Sequence, residues 1–362
     1  MPALSLQRSV FILLLLFLVC VGLYYAKPFL VPLAFACLLA MLLIPLSASL
    51  ESKGWNRALT SLVCVLLVLA LVAGVISLVV WQVTDMASDA DQIEKNLVKK
   101  ISELKDYVSE RFGVSRKAQQ EVIDKQQASS SNNISGMVTK VLASLGTILT
   151  NFILLLVYIF LLIYFRTHLK NFVLKLVPTA NRAKAVQTMD ASRKVAQKYL
   201  TGLSLMIVCL WIMYGIGFTI AGVKLPVFFA ILCGMLEIIP FIGNLAGTGI
   251  TVLMSIAQGG ESSLIIGILI TYALVQFIQT YILEPLVVGH EVNINPLFTI
   301  LGIVAGEVIW GVPGMILAIP VLGITKIVCD NITSLQPYGF LLGEEKKKAH
   351  KPFLKKIKGR FK

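Results

Sequence analysis

Apolar residues run for bilayer-spanning lengths at several places in this chain, and polar residues fall in short clusters between them. The first apolar run covers residues 10–26 and is followed by Lys27-Pro28 and a second run over 29–46. About 20 apolar residues in a helix cross the hydrocarbon core of a bilayer. The Arg8 that precedes the first run also suits a secretory leader, but no small-residue cleavage site follows, so a tight helical hairpin is expected. A polar loop over 47–57 then leads to a third span over 58–81, closed by Trp81 as an interfacial aromatic.

The pattern changes at residue 84. Nine acidic and nine basic residues lie between 84 and 140. Met86, Ile93, Leu97, Ile101, Leu104 and Val108 recur there at helical spacing, which predicts an amphipathic helix outside the membrane. Gly113 ends its clearest part, a second short helix is expected over 116–127, and Ser129-Ser130-Ser131-Asn132-Asn133 reads as a linker. A fourth span follows over 141–165. Residues 166–200 carry eight Lys/Arg against the single acid Asp190, which predicts a partly helical segment near the headgroups.

Between 200 and 330 lie 17 of the 26 glycines. Apolar segments cover 202–222, 226–258, 262–283 and 296–328. The second is broken by Pro240, Gly243 and Gly247, and the last around Gly306, Gly311 and Pro313. Each broken segment reads either as one interrupted helix or as a re-entrant pair, because backbone freed at membrane depth is tolerated only against protein or a water-filled cavity. The loop over 284–295 lies outside if both cross and inside if both turn back. The expected fold is an all-α polytopic membrane protein with broken or re-entrant helices in its C-terminal half and a small helical extramembrane insert. Its divisions are 1–83, 84–140, 141–165, 166–200, 201–330 and a basic tail over 331–362.

Composition agrees. Hydrophobic residues make up 57% and charged residues 14%, against about 25% charged in soluble domains. Charge sets the orientation: Lys53, Arg57 and the 166–200 segment inside, the balanced 84–140 stretch outside, and both termini cytoplasmic. The net charge of +13 is concentrated in the tail, where nine Lys/Arg follow Glu344 and Glu345. That tail suits anionic headgroups of membrane lipid, and no nucleic-acid fold signature accompanies it. The six cysteines lie in apolar segments without CxxC spacing, so neither a disulfide framework nor a metal site is indicated.

Glu237, Glu284, Glu307 and Asp330 lie in or beside apolar segments, where a charge costs at least about 2.5 kcal/mol and marks a cavity or a partner. Glu237 precedes the Pro240/Gly243 break by one turn, next to Asn244, and this suits a cation or proton site. Its other reading is a carboxyl held in a structural hydrogen bond. Glu284-Pro285 and the run from His290-Glu291 to Asn295-Pro296 form a polar cluster that reads equally as a gate or as an interfacial loop. Gln276 and Gln279 share a helix face and either line a path or tie helices together. Glu284 is expected further round that helix. His290-Glu291 lacks the second histidine of a zinc-protease helix, and there is no GxxxxGK[ST] or GxSxG motif. No enzyme activity, cofactor or metal is therefore expected.

The blocks Leu236-Glu237-Ile238-Ile239-Pro240-Phe241-Ile242-Gly243, Gln279-Thr280-Tyr281-Ile282-Leu283-Glu284-Pro285 with Gly289, Asn295-Pro296-Leu297, and Gly311-Val312-Pro313-Gly314-Met315 with Pro320 resemble the autoinducer-2 exporter family of bacterial permeases. The order of blocks and the plan of spans match as well. The resemblance implies a secondary transporter of the bacterial inner membrane and a homo-oligomer. It implies either export of a small polar metabolite or signal such as autoinducer-2, or sodium/proton antiport. Where many members carry Pro or Tyr/Pro after the first block, this chain has Phe241 and Asn244, and Asn244 adds a polar ligand. A membrane scaffold that moves no solute is the competing class. Within the transporter reading, Glu237 is the coupling carboxylate, supported by Pro240, Gly243, Asn244, Gln276, Gln279, Glu284 and Pro285, with His290, Asn295 and Glu307 as secondary candidates.

Overall fold

Apolar runs of this length become helices because lipid offers no hydrogen-bond partner to the backbone, so each peptide group must be satisfied within its own segment. A computed structural model describes residues 2–87, 133–240, 243–288 and 294–344. Among these residues every regular element is helical, and the lone β contact is an antiparallel bridge between Ile294 and Gly343. Among the described residues six helices are long and apolar enough to cross a membrane, or seven if one bent pair counts as a span. The chain is a multi-pass, all-α membrane protein. The expected helices over 93–108 and 116–127, together with Phe241, Gly289, His290, Glu291 and the tail beyond residue 344, lie outside the described residues.

Helices α1 (Pro2–Tyr25) and α2 (Lys27–Ser52) follow one another across Ala26, where Ala26 N donates to Gly22 O at 2.9 Å and Leu30 N to Ala26 O at 2.8 Å. Helix α3 (Arg57–Ala87) continues past Trp81, and α4 (Asn133–Tyr164) begins before its apolar run, because a helix does not stop where its side chains become polar. Ala36, Ala40 and Leu43 of α2 pack with Cys64 of α3 and with Ile159 and Ile163 of α4 in one core cluster. At one end this bundle is tied by polar groups. Arg166 Nη2 lies 2.6 Å from Glu51 Oε2, and Ser47 Oγ donates to Glu51 Oε1 at 3.2 Å. There the chain bends by 67° into α5 (Arg166–Leu176).

Helix α6 (Arg182–Ala221) runs without a break through residue 200, from the basic segment into the membrane. Met206, Leu210, Tyr214 and Phe218 recur every fourth residue and face the second core, with Phe229, Ala230, Cys233, Ile268 and Val275. Gly222 ends α6 at φ +83°, where its N–H and that of Val223 return to Phe218 and Thr219. Leu225, also at positive φ (60°), turns the chain into Pro226, the first residue of α7 (Pro226–Leu236).

Both broken segments turn back on themselves. Helix α8 (Gly243–Ala257) folds antiparallel onto α7, so that Thr251 Oγ1 lies 3.8 Å from Cys233 Sγ. A Cβ at Gly243 would collide with the Leu236 carbonyl, so the tip requires glycine. Arms of 11 and 15 residues reach only about 16 and 22 Å, short of the roughly 30 Å core, so α7–α8 is re-entrant by length. Helix α9 (Ser262–Ile278) follows and continues into a π-helix, Gln279–Val288.

Helices α10 (Pro296–Trp310) and α11 (Val312–Asn331) form a second hairpin. Its break falls at Gly311 alone (φ +70°), while Gly306 stays helical and meets Gly314 backbone to backbone. Trp310 Nε1 anchors the tip by donating to Leu23 O of α1 at 2.9 Å. Asn295 N donates to Leu342 O at 2.9 Å, which puts the end of the 284–295 loop beside the C-terminal helix α12 (Gln336–Leu342). Of the two alternatives read from sequence, the geometry is the one in which both segments turn back.

Candidate functional site

The tip of the α7–α8 hairpin ends among side chains of α6, α9 and the π-helix, and the intramembrane polar residues of the C-terminal half meet there. Tyr214 is buried in α6, seven residues or about 10 Å from its end. Its hydroxyl donates to Asn244 Oδ1 on the first turn of α8. Asn244 Nδ2 in turn donates to Gln276 Oε1 of α9 and, at 3.5 Å, to Gln279 Oε1. Gln279, 1% exposed, donates through Nε2 to Glu237 Oε1 at 2.5 Å and to Glu284 Oε1 at 3.5 Å. Every bond in this series points the same way, from the tyrosine hydroxyl to two carboxyls. Gln276 Nε2 adds a branch to Thr280 Oγ1 at 3.2 Å.

The π-helix makes the last step possible. With α-helical winding of about 100° per residue, residues five apart point some 140° away from each other. Widening to i→i+5 brings them onto one side, and Gln279 and Glu284 are five apart. Pro285 has no N–H for an α-helical bond, which favours local rewinding at this place. Glu284 is therefore on the Gln279 side, where α-helical counting had put it further round.

Glu237 caps α7 and has one engaged and one unengaged oxygen. Oε2 is buried without a hydrogen-bond partner among the described residues. Such atoms are uncommon, since a buried acceptor without a donor costs about 1–3 kcal/mol or more. Two further unpartnered oxygens lie on α8. Asn244, Thr248, Thr251 and Ser255 form one buried face of this helix, at most 8% exposed, spanning 11 residues or about 16 Å. Thr251 Oγ1 donates to Gly247 O at 2.8 Å, whereas Thr248 Oγ1 and Ser255 Oγ have no hydrogen-bond partner among the described residues. The row leads from the carboxyl-amide cluster to the end of α8 that adjoins α9. Glu284, by contrast, is exposed, midway along the π-helix.

Of the expected residues, Glu237, Asn244, Gln276, Gln279 and Glu284 are brought together, and Pro240 and Gly243 form the tip that carries two of them. Pro285 lies in the π-helix next to Glu284. Asn295 is elsewhere: its Oδ1 accepts from Leu297 N at 2.9 Å and caps α10. Glu307 is exposed on α10, where its carbonyl accepts from Gly311 N at 2.7 Å, and it takes no part in the cluster. Sequence reasoning missed Tyr214 and the α8 hydroxyls. The row at 244, 248, 251 and 255 has helical spacing and was there to be found. Nothing in the local sequence of α6 distinguishes Tyr214 from an ordinary span aromatic.

The profile of the family described as AI-2E family transporter matches residues 11–334. Among similar proteins, "Putative transport protein YrrI" of Bacillus subtilis is 24% identical over 311 residues, 83% of this chain and 86% of that protein. "Putative transport protein YueF" of the same organism is 25% identical over 356 residues, 91% of this chain and 92% of its own length. "Putative permease PerM" of Escherichia coli K12 is 26% identical over 320 residues, covering 84% and 88%. With a family match spanning nearly the whole chain, on a multi-pass helical fold, the protein belongs to the AI-2E family of transporters.

Proposed function

We propose that the cluster around Glu237 is the solute-binding and coupling site of an ion-coupled secondary transporter that exports a small polar metabolite or signal molecule. The observation that carries this reading is the one-way hydrogen-bond series from Tyr214 to Glu237 and Glu284, which ends on a buried carboxyl oxygen with no donor. A proton or a monovalent cation satisfies that oxygen, and a partner that comes and goes is what coupling requires. The α8 row supplies polar footholds on one side of the cluster, and exposed Glu284 supplies one on the other. Alternating access then consists of exposing the carboxyls by turns, with the α7–α8 hairpin as the moving part.

Sodium/proton antiport is the second reading, and the pairing of two carboxyls on the single Gln279 amide favours it. A cation held between them replaces a proton with no need of a larger cavity. In both readings the termini are cytoplasmic, the protein resides in the bacterial inner membrane and copies of the chain assemble into a homo-oligomer.

Internal pH in proteoliposomes with a trapped dye tests the proposal at fixed membrane potential. Sodium and then autoinducer-2 are added outside. The expected result is a pH change with one of the two that Glu237→Gln abolishes. Full-rate coupling in the Gln variant removes Glu237 from the role. If folded, inserted protein responds to neither solute, the non-transporting scaffold gains ground.

A further inference from the structure

Where α5 leaves the α4 axis at 67°, its outer surface divides into two stripes. Leu169, Phe172, Val173 and Leu176 are all at least 39% exposed, at the i, i+3, i+4, i+7 spacing of one apolar face. His168, Asn171 and Lys175, at i, i+3 and i+7, form the adjoining polar stripe. A cavity of about 420 Å³ opens beside that stripe, lined by His168, Asn171, Phe172, Leu174 and Lys175 of α5 and by Arg182 at the start of α6. None of the described residues that line it is acidic.

The start of α6 adds to the same field. Its first turn contains no acid, and Asn181 makes no side-chain cap bond, so the positive end of a 40-residue helix lies beside the notch with Arg182. Two fixed cations, an imidazole, a carboxamide and a helix N-terminus converge on one notch. The ligand chemistry that answers all of them is a phosphate oxyanion. The apolar stripe next to the notch answers acyl chain, and α5 lies at a steep angle to a span, as an interfacial helix does.

We infer that the α5–α6 notch is a binding site for the phosphate headgroup of an anionic phospholipid, whose acyl chains lie along Leu169, Phe172 and Leu176. The site is independent of the Glu237 cluster. A bound lipid clamps α5 to the first turn of α6, the helix that also carries Tyr214.

Native mass spectrometry of the full-length purified chain tests this. Detergent micelles are doped in turn with phosphatidylglycerol, phosphatidylcholine, or inorganic phosphate without added lipid. The wild-type chain is expected to retain one phosphatidylglycerol in preference to phosphatidylcholine. Lys175→Ala/Arg182→Ala is expected to weaken that retention by at least about tenfold, given the attraction of each cation to an anionic surface. Lys224→Ala, far along the chain, leaves it unchanged, and the basic tail is present in all variants. The conservative pair Lys175→Arg/Arg182→Lys keeps retention and shows that charge is what counts, and an unchanged thermal midpoint shows that the Ala pair is folded. Equal retention by the Ala pair, or equal retention of the two lipids, overturns the inference. Phosphate held without any lipid preference overturns it too, by assigning a free-anion site.

Discussion

Thr248 and Glu237 have buried oxygens with no hydrogen-bond partner among the described residues, and the same fact predicts different outcomes for their removal. Thr248→Val replaces an unsatisfied hydroxyl with a methyl of similar size. Deleting a buried group that has no hydrogen bond is neutral or stabilising. The Val variant should unfold within about 1 kcal/mol of wild type, or above it, in thermal unfolding in detergent, yet lose most transport in the proteoliposome assay. A purely structural hydroxyl gives the reverse: transport intact and stability lowered. Glu237, Gln276 and Gln279 were legible in the sequence because charges and amides stand out against apolar neighbours. Tyr214 was not, because its significance depends on Asn244, which reaches it only after the 226–258 segment turns back.

The two hairpins depend on glycines that let backbones touch. A Cβ at Gly306 would meet the Gly314 carbonyl, and one at Gly314 the Gly306 carbonyl. Gly306→Ala must push α10 and α11 apart, at a cost of roughly 1–3 kcal/mol as for other overpacked sites. Gly249→Ala on α8, where nothing lies within 4 Å, serves as the control. A lower midpoint for the first and no loss for the second is the expected result in thermal unfolding, and equal midpoints would refute the close-contact account. The positions of the breaks were legible from Pro and Gly. Their sense was not, since a straight interruption and a hairpin have the same residue pattern, and only the contacts between arms distinguish them. The π-helix was hidden for a related reason: i→i+5 winding leaves no periodicity signal over ten residues.

Among the described residues the two largest buried clusters lie around α2, α3 and α4 and around α6, α7 and α9, and a smaller one joins α10 and α11 through Ile303, Met315 and Ala318. Leu38, Ala196 and Leu317 join α2 to α6 and α11, and Gln197 Nε2 reinforces the joint by donating to Met41 O at 2.6 Å. At the α4–α5 bend, Arg166 and Glu51 pair at 2.6 Å with side chains 21% and 20% exposed. A charged hydrogen bond so shielded is worth roughly 1.5–3 kcal/mol. Arg166→Ala and Glu51→Ala should each lower the thermal midpoint, and the double variant should lose much less than their sum. Additive losses in that cycle would show that the pair is not coupled. This tie was invisible in the sequence, because 115 residues separate its partners. The spans and the basic character of 166–200, by contrast, were read directly from the hydropathy and charge patterns.

The α7–α8 hairpin has its base bounded by Gly222 and Leu225 on one side and Gly259 on the other, all at positive φ. It is thus a stiff arm with its joints at one end and its carboxyl and carboxamide at the other. For an arm of about 16 Å, a swing of roughly 10° at the base sweeps the tip through about 3 Å. That is a full hydrogen-bond length. In the proposed transport cycle, leverage of this kind lets a small adjustment at the base of the hairpin make or break the whole Tyr214-to-Glu237 series in one stroke, while the spans on either side stay still.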